Sequence, residues 1–335
     1  MNNIKKIGLS ALAGSLASFS AHAVDVSFSG EVQVIYSDAE GNENGASASN
    51  GKGLSNDQDI LVTASGELDN GWTVSSSLSL NTGTAVTNSS SQISVGMGSL
   101  GTVMFANTLG TTSNAIDDVL PKAYEEVWDG TTHGENFSDF GAATQDGAME
   151  YRTPAFEMMG MTISATAAYD SSAGQSAAAS AGVAATSQSG TAYTVKLAHD
   201  SGFTLGGGFE DLSDSATGVP GDQLSTIYAL YANGPLSIGY QETYDTNGAA
   251  ADIESDGYGI AYTSGDYSVS YAKIEDSKKA ISAVAAGADS AEMSAIQAAY
   301  TMGAMTLAAS MYETDNPEYV VGEYEETELS VSFAF

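Results

Sequence analysis

From Val24 to Tyr36 the chain reads VDVSFSGEVQVIY, in which Val24, Val26, Phe28, Gly30, Val32, Val34 and Tyr36 share one parity. Asp25, Ser27, Ser29, Glu31 and Gln33 share the other. Successive side chains of a β-strand point to opposite faces, so this stretch predicts a strand that is apolar on one face and wet on the other. The same alternation returns along the chain, for example at Ile60/Val62/Ala64, Ile93/Val95/Met97, Phe203/Leu205/Gly207/Phe209, Leu236/Ile238/Tyr240, Tyr258/Ile260/Tyr262 and Leu329/Val331/Phe333/Phe335. Counted throughout, it predicts sixteen strands.

The connections between these strands alternate in length. Seven are tight and carry turn residues, among them Leu68-Asp-Asn-Gly71, Gly98-Ser-Leu-Gly101, Pro154 to Gly160, Ser264-Gly-Asp266 and Met302-Gly-Ala304. The eight between them are longer and rich in Gly, Ser, Asn, Asp and Glu, the longest spanning about 106–147. Short turns at one end and long loops at the other describe an up-and-down antiparallel meander with both termini on the short-turn side. Such a meander is either a soluble sandwich or a closed barrel. The wet faces of Ser, Thr, Gln and Gly and the modest apolar faces favour the barrel, which has no unpaired edge and is therefore tolerated in hydrocarbon. Tyr36, Tyr169, Tyr231, Tyr240, Tyr271 and Tyr312 are expected at the membrane–water interface, with the ring half buried and the hydroxyl wet.

Composition narrows the reading. Lys5 and Lys6, the apolar run from Ile7 to Phe19 and Ala21-His22-Ala23 read as a secretory signal over residues 1–23, leaving 24–335 as one barrel domain. No apolar run long enough for a membrane helix follows, but a spanning strand needs only about 9–11 residues. Cysteine is absent, which removes disulfides, cysteine zinc sites and thiol catalysis. With 42 Asp+Glu against 9 Lys+Arg, the chain would repel a phosphate backbone, so nucleic-acid binding is excluded. Gly96-Met-Gly-Ser-Leu-Gly101 matches a dinucleotide-binding pattern but joins strand to strand, with no helix to meet a phosphate. No nucleophile elbow and no histidine cluster appears, so the chain is not read as an enzyme.

The longest loop holds Asp117, Asp118, Glu125, Glu126, Asp129, Glu135, Asp139 and Asp146 against Lys122 and His133. On the strands, parity turns Glu150, Arg152 and Lys196 to the wet face. Asp57/Asp59, Asp245-Thr-Asn-Gly248, Asp252/Glu254/Asp256 and Glu323/Glu325/Glu326 are candidates for Ca2+, a hard cation wanting six to eight oxygens.

The signal, the opening strand, the hairpin GSLGTVMFAN leading into the longest loop, the return strand GAMEYRTPAFEMMGMTISATAAYD and the terminal Phe335 together resemble the general diffusion porins of Gram-negative outer membranes. The resemblance implies an all-β, 16-stranded transmembrane barrel in a homotrimer. Its last strand would pair with its first, and its third long loop would fold inward to narrow the pore. It makes Phe335 an assembly signal read by the outer-membrane assembly machinery. It also sets the acidic residues Asp117, Asp118, Glu125, Glu126, Asp129, Glu135 and Asp139 at the constriction, with Glu150, Arg152 and Lys196 on the lumen wall. The expected activity is passive diffusion of small hydrophilic solutes with a preference for cations, between outer-membrane lipids. Two features depart from familiar members: the mature chain has a single arginine, Arg152, and the Pro-Glu-Phe-Gly-Gly run of the loop tip is missing. Two other readings compete. One is a substrate-specific channel using Tyr124, Trp128 and Phe137 as stacking platforms; the other is a secreted, calcium-binding β-rich adhesin.

Overall fold

The computed structural model describes residues 25–41, 50–81, 86–107, 110–129, 140–144, 146–171, 188–214, 221–246, 252–279 and 290–335. The predicted signal over 1–23 lies outside the described residues. Among the described residues seventeen strands follow one another: β1 Asp25–Gly41, β2 Gly51–Glu67, β3 Thr73–Asn81, β4 Thr87–Gly96, β5 Thr102–Asn107, β6 Asp146–Arg152, β7 Phe156–Met158, β8 Met161–Asp170 and β9 Gly190–His199. The second half comprises β10 Phe203–Leu212, β11 Gln223–Asn233, β12 Leu236–Thr246, β13 Asp252–Ser264, β14 Tyr267–Lys279, β15 Ser290–Met302, β16 Met305–Asp315 and β17 Glu323–Ala334. Each strand pairs antiparallel with its neighbours, and β17 returns to β1 in a register running from Glu31↔Ala334 to Gly41↔Tyr324. The sheet is thereby a closed barrel.

Sixteen positions are filled by these seventeen segments, because β6 and β7 both pair with β8. The interruption is Thr153-Pro154-Ala155, where Pro154 has no N–H to give a ladder. Six of the seven tight turns fall as predicted, while the one expected from Pro154 to Gly160 contains β7 and turns at Met159-Gly160; each of the seven carries a glycine at positive φ, such as Gly234 at 57° and Gly303 at 63°. The backbone there enters the left-handed region that only glycine occupies without strain. Several long connections are shorter than predicted. β12 to β17 continue their ladders past the apolar belt, so Asp245, Asp252, Glu254, Asp256 and Glu292 belong to strands.

Register places the apolar set on one face. Tyr231, Ile238, Ile260, Tyr271, Ile296 and Met311 stand opposite one another from strand to strand; Tyr231 is partly exposed and the other five are exposed in the isolated barrel, as hydrocarbon-facing groups must be. Beside the short turns, aromatic pairs pack along the rim, Phe203–Tyr231 tilted with ring centroids 4.5 Å apart and Tyr267–Tyr300 stacked at 4.6 Å. Tyr312 does not join such a belt. It has the opposite parity to Met311, is 2% exposed and packs inside the barrel. Beyond the belt on the long-loop side, Glu242, Asp256, Glu275, Glu292, Asp315 and Glu323 are directly opposite one another on six adjacent strands. Tyr240 Oη donates to Asp256 at 2.5 Å and Lys273 reaches Glu292 at 2.5 Å, partly offsetting a row of like charges.

Candidate functional site

The connection after β5 does not stay outside. Its described parts, 110–129 and 140–144, lie against the face opposite the apolar belt, which in a closed barrel is the inside. Its two roots are tied together by hydroxyls: Ser113 Oγ and Thr144 Oγ1 are 2.8 Å apart, Thr111 Oγ1 and Ser113 Oγ 2.8 Å, and Asn114 Nδ2 donates to the Gly141 carbonyl at 2.8 Å. Two buried wall carboxylates then clasp the roots. The Thr112 amide and hydroxyl donate to Glu150 at 2.6 and 2.8 Å, and the Gly141 amide donates to Glu210 at 2.8 Å.

Past its first root the loop crosses β12, β14 and β15. Gln241 on β12 is fully buried; its Oε1 accepts from the Val119 amide at 2.9 Å and its Nε2 donates to the Ile116 and Asp117 carbonyls at 2.9 and 2.8 Å. Gln297 on β15, 3% exposed, repeats the arrangement: it accepts from the Tyr124 amide at 3.0 Å and donates to the Glu125 carbonyl at 2.7 Å. Between them the Ala123 amide donates to Ser270 Oγ at 2.9 Å, and at the far side Gln33 of β1 donates to Tyr124 Oη at 2.6 Å. Apolar groups fill the gaps. Leu120 and Val127 pack on Ala272, Ile274, Met293, Ala295 and Tyr312, while Ile116 and Phe140 pack on Leu224 and Tyr228.

The loop therefore covers the wall on the β11–β16 side and leaves the opposite wall wet. On β2, β3 and β4 the inward residues include Thr63, Ser75, Ser77, Ser79 and Ser94, all partly exposed, with Ser75 and Ser94 hydroxyls 2.9 Å apart. A passage runs between a hydroxyl-lined wall and the loop edge.

The charged residues distribute unevenly along that passage. Asp129 is exposed, and Asp117, Glu125 and Glu126 are half exposed. Asp118 is not on the surface; it is 6% exposed, and its Oδ1 accepts from the Leu120 amide at 2.7 Å to fix the turn. Burial pushes the Asp117 carboxyl up to about 7 and that of Asp118 up to about 6, and burial also raises Glu125. Lys122, the one described cation of the loop, is ion-paired with Glu126 four residues on. Glu150 turns inward as parity required, yet it is completely buried under the loop root. It pairs with Arg152, whose guanidinium also reaches the Gly110 carbonyl at 3.4 Å. Lys196 faces inward and is exposed. Glu135, Asp139, His133 and Phe137 lie outside the described residues.

Trp128 packs against the apolar cluster, and Tyr124 is held by Gln33, so neither stands free as a stacking platform. Among the described residues no three His, Cys, Asp or Glu side chains gather as a metal site, and Asn247 and Gly248 of one calcium candidate lie outside them. Gln241, Gln297 and Glu210 escaped sequence reasoning because each reads as an ordinary wet-face residue. The available signal was a set of apolar residues at the wet parity, namely Leu224, Tyr228, Ile274, Met293 and Tyr312, which mark where the loop lands.

A closed barrel with an apolar exterior, a polar bore and one loop folded into that bore defines a passive outer-membrane diffusion channel. The chain belongs to the Gram-negative porin family, whose sequence profile matches residues 8–335. Its fold is similar to that of an anion-selective porin from Comamonas acidovorans, at 15% identity over 93% of this chain and 100% of that one, with a TM-score of 0.64. An engineered multiple mutant of the Rh. blastica porin gives 15% identity, the same coverages and 0.61. Salmonella typhi OmpF in complex with daunomycin gives 10% identity over 92% and 97% and a TM-score of 0.70. No curated protein matches the chain.

Proposed function

We propose that this porin passes small hydrophilic solutes with a preference for cations. One observation carries the reading: Lys122 in the loop and Arg152 at its root are each ion-paired with a nearby carboxylate, while Asp117, Glu125 and Asp129 at the loop edge form no salt bridge among the described residues. Fixed negative charge beside a low-dielectric wall concentrates cations and repels anions. The anion-selective relative shares only the fold at its level of identity, so its preference does not transfer. The same reading makes residues 1–23 the export signal, the assembled form a homotrimer, and Phe335 the mark recognised during outer-membrane assembly.

The test is the reversal potential of purified protein in planar bilayers under a KCl gradient. A cation-signed potential is expected, shrinking as salt rises because the Debye length falls from about 10 Å at 0.1 M to about 3 Å at 1 M. An anion-signed potential refutes the preference, and the absence of any conductance refutes the channel.

A further inference from the structure

We infer that Gln241 and Gln297 are the positioning residues of the constriction: two neutral wall amides that hold an acidic loop at its working place without cancelling its charge. The geometry is the same at both sites. Each side chain is buried, and each uses its oxygen for one loop amide and its nitrogen for the loop backbone, two carbonyls at Gln241 and one at Gln297, so that backbone bonds run in both directions as in a sheet. An uncharged amide side chain supplies a two-hydrogen donor and a separate carbonyl acceptor side by side, so one residue can engage an N–H and a C=O of the loop at once.

Charge explains why these positions do not hold other groups. The backbone seized by Gln241 is that of Ile116, Asp117 and Val119, and the backbone seized by Gln297 is that of Tyr124 and Glu125. A wall carboxylate would face Asp117, Asp118 and Glu125 with like charge and would lose the donated bonds. An arginine or lysine would bind, but would neutralise the carboxylates on which selectivity depends. The loop roots, by contrast, are clasped by the carboxyl groups of Glu150 and Glu210, where the partners are Thr112 and Gly141. Acidic side chains thus anchor the roots, and amide side chains anchor the acidic stretch. The part of this inference that concerns selectivity rests on the proposed cation preference; the part that concerns position does not.

The test uses full-length protein and reads the position of the loop by thiol labelling and, separately, by single-channel current. The chain has no cysteine, so A123C introduces a single thiol, on the residue whose amide bonds Ser270 between the two clamps. In otherwise unchanged protein this thiol should react slowly with a charged methanethiosulfonate. With Gln297→Ala or Gln241→Ala added, labelling should quicken about tenfold, the factor to which about 1.4 kcal/mol corresponds. The same variants, and the isosteric Gln297→Glu, should conduct with an altered unit amplitude and added current noise while running as folded barrels on unheated gels. If folded variants keep the original labelling rate, amplitude and noise, the inference is overturned. If the channel proves unselective, the labelling and amplitude arms still decide it.

Discussion

The ring of Phe335 lies over Gly30: a methyl group added to the glycine would come within 2.6 Å of Phe335 Cζ and 2.6 Å of the Asp59 carbonyl oxygen. The two residues also exchange backbone bonds, amide to carbonyl in both directions at 2.9 Å. A terminal aromatic that would fray on an ordinary domain is therefore the last rung of the seam, covering the gap that a glycine leaves in the sheet. Gly30→Val should displace the ring and open this rung. The expected outcome is a lower temperature for conversion of the folded to the unfolded band on gels, by an amount consistent with about 1–3 kcal/mol of overpacking. Gly71→Ala, at a turn where nothing lies nearby, isolates the cost of its positive φ and should be milder.

The selectivity should depend on pH. The folded Asp117 and Asp118 carboxyls titrate near 7 and 6, above an ordinary value of 3.8, because burial disfavours their charge. Between 3.8 and those values the folded chain binds more protons than the unfolded chain, so docking of the loop weakens as pH rises through this window. Fixed charge increases in the same direction. The cation-to-anion permeability ratio should fall when both bath solutions are taken from about pH 8 to about pH 5, the range that spans these two titrations. Asp117→Asn should flatten the upper part of that profile.

Removing Glu150 should act in two ways. Glu150→Gln strips the partner from Arg152 and weakens the clasp on Thr112. The expected loss is about 2 kcal/mol, below the 3–5 kcal/mol typical of a fully buried pair because Arg152 is partly solvated. Reversal potentials should move toward anions, since a previously compensated guanidinium then faces the passage.

The row of carboxylates from Glu242 to Glu323 should make the barrel sensitive to ionic strength. Like charges directly opposite on neighbouring strands cost about 0.2–1 kcal/mol a pair, and salt screens them. Unfolding temperature should rise between about 0.01 and 0.15 M NaCl, over which the Debye length shrinks from about 30 to about 8 Å. Lys273→Gln, which frees Glu292, should steepen that dependence.

Truncating the loop's apolar contact tests how firmly it is docked. Leu120→Ala removes a side chain packed on Ile274 and Met293 and should cost about 2–4 kcal/mol of loop attachment. Greater conductance is expected from the loosened loop, read in single-channel recordings.

The number of strands, the faces of their side chains and most of the tight turns were legible because water on one side and hydrocarbon on the other impose a period of two that no loop or turn can imitate. The interior was less legible. Tyr312 and Gln241 are inward residues of a hydrated tube by parity, and only the return of the loop from far along the chain buries them. The reach of the strands beyond the belt was hidden for a related reason: Glu254 and Glu292 look like loop residues, yet outside the membrane a ladder tolerates charge on its wet edge. The break at Pro154 was visible as a turn signal, whereas the three-residue resumption at Phe156–Met158 depends on β8 being there to receive it.

The packing of Leu120 and Val127 onto Ile274 and Met293 gives this hollow protein a dry keel along one flank. A water-filled tube ordinarily draws its rigidity from its shell alone. Here the obstruction in the bore is also ballast for the shell, and a change on that flank alters stiffness and flow together.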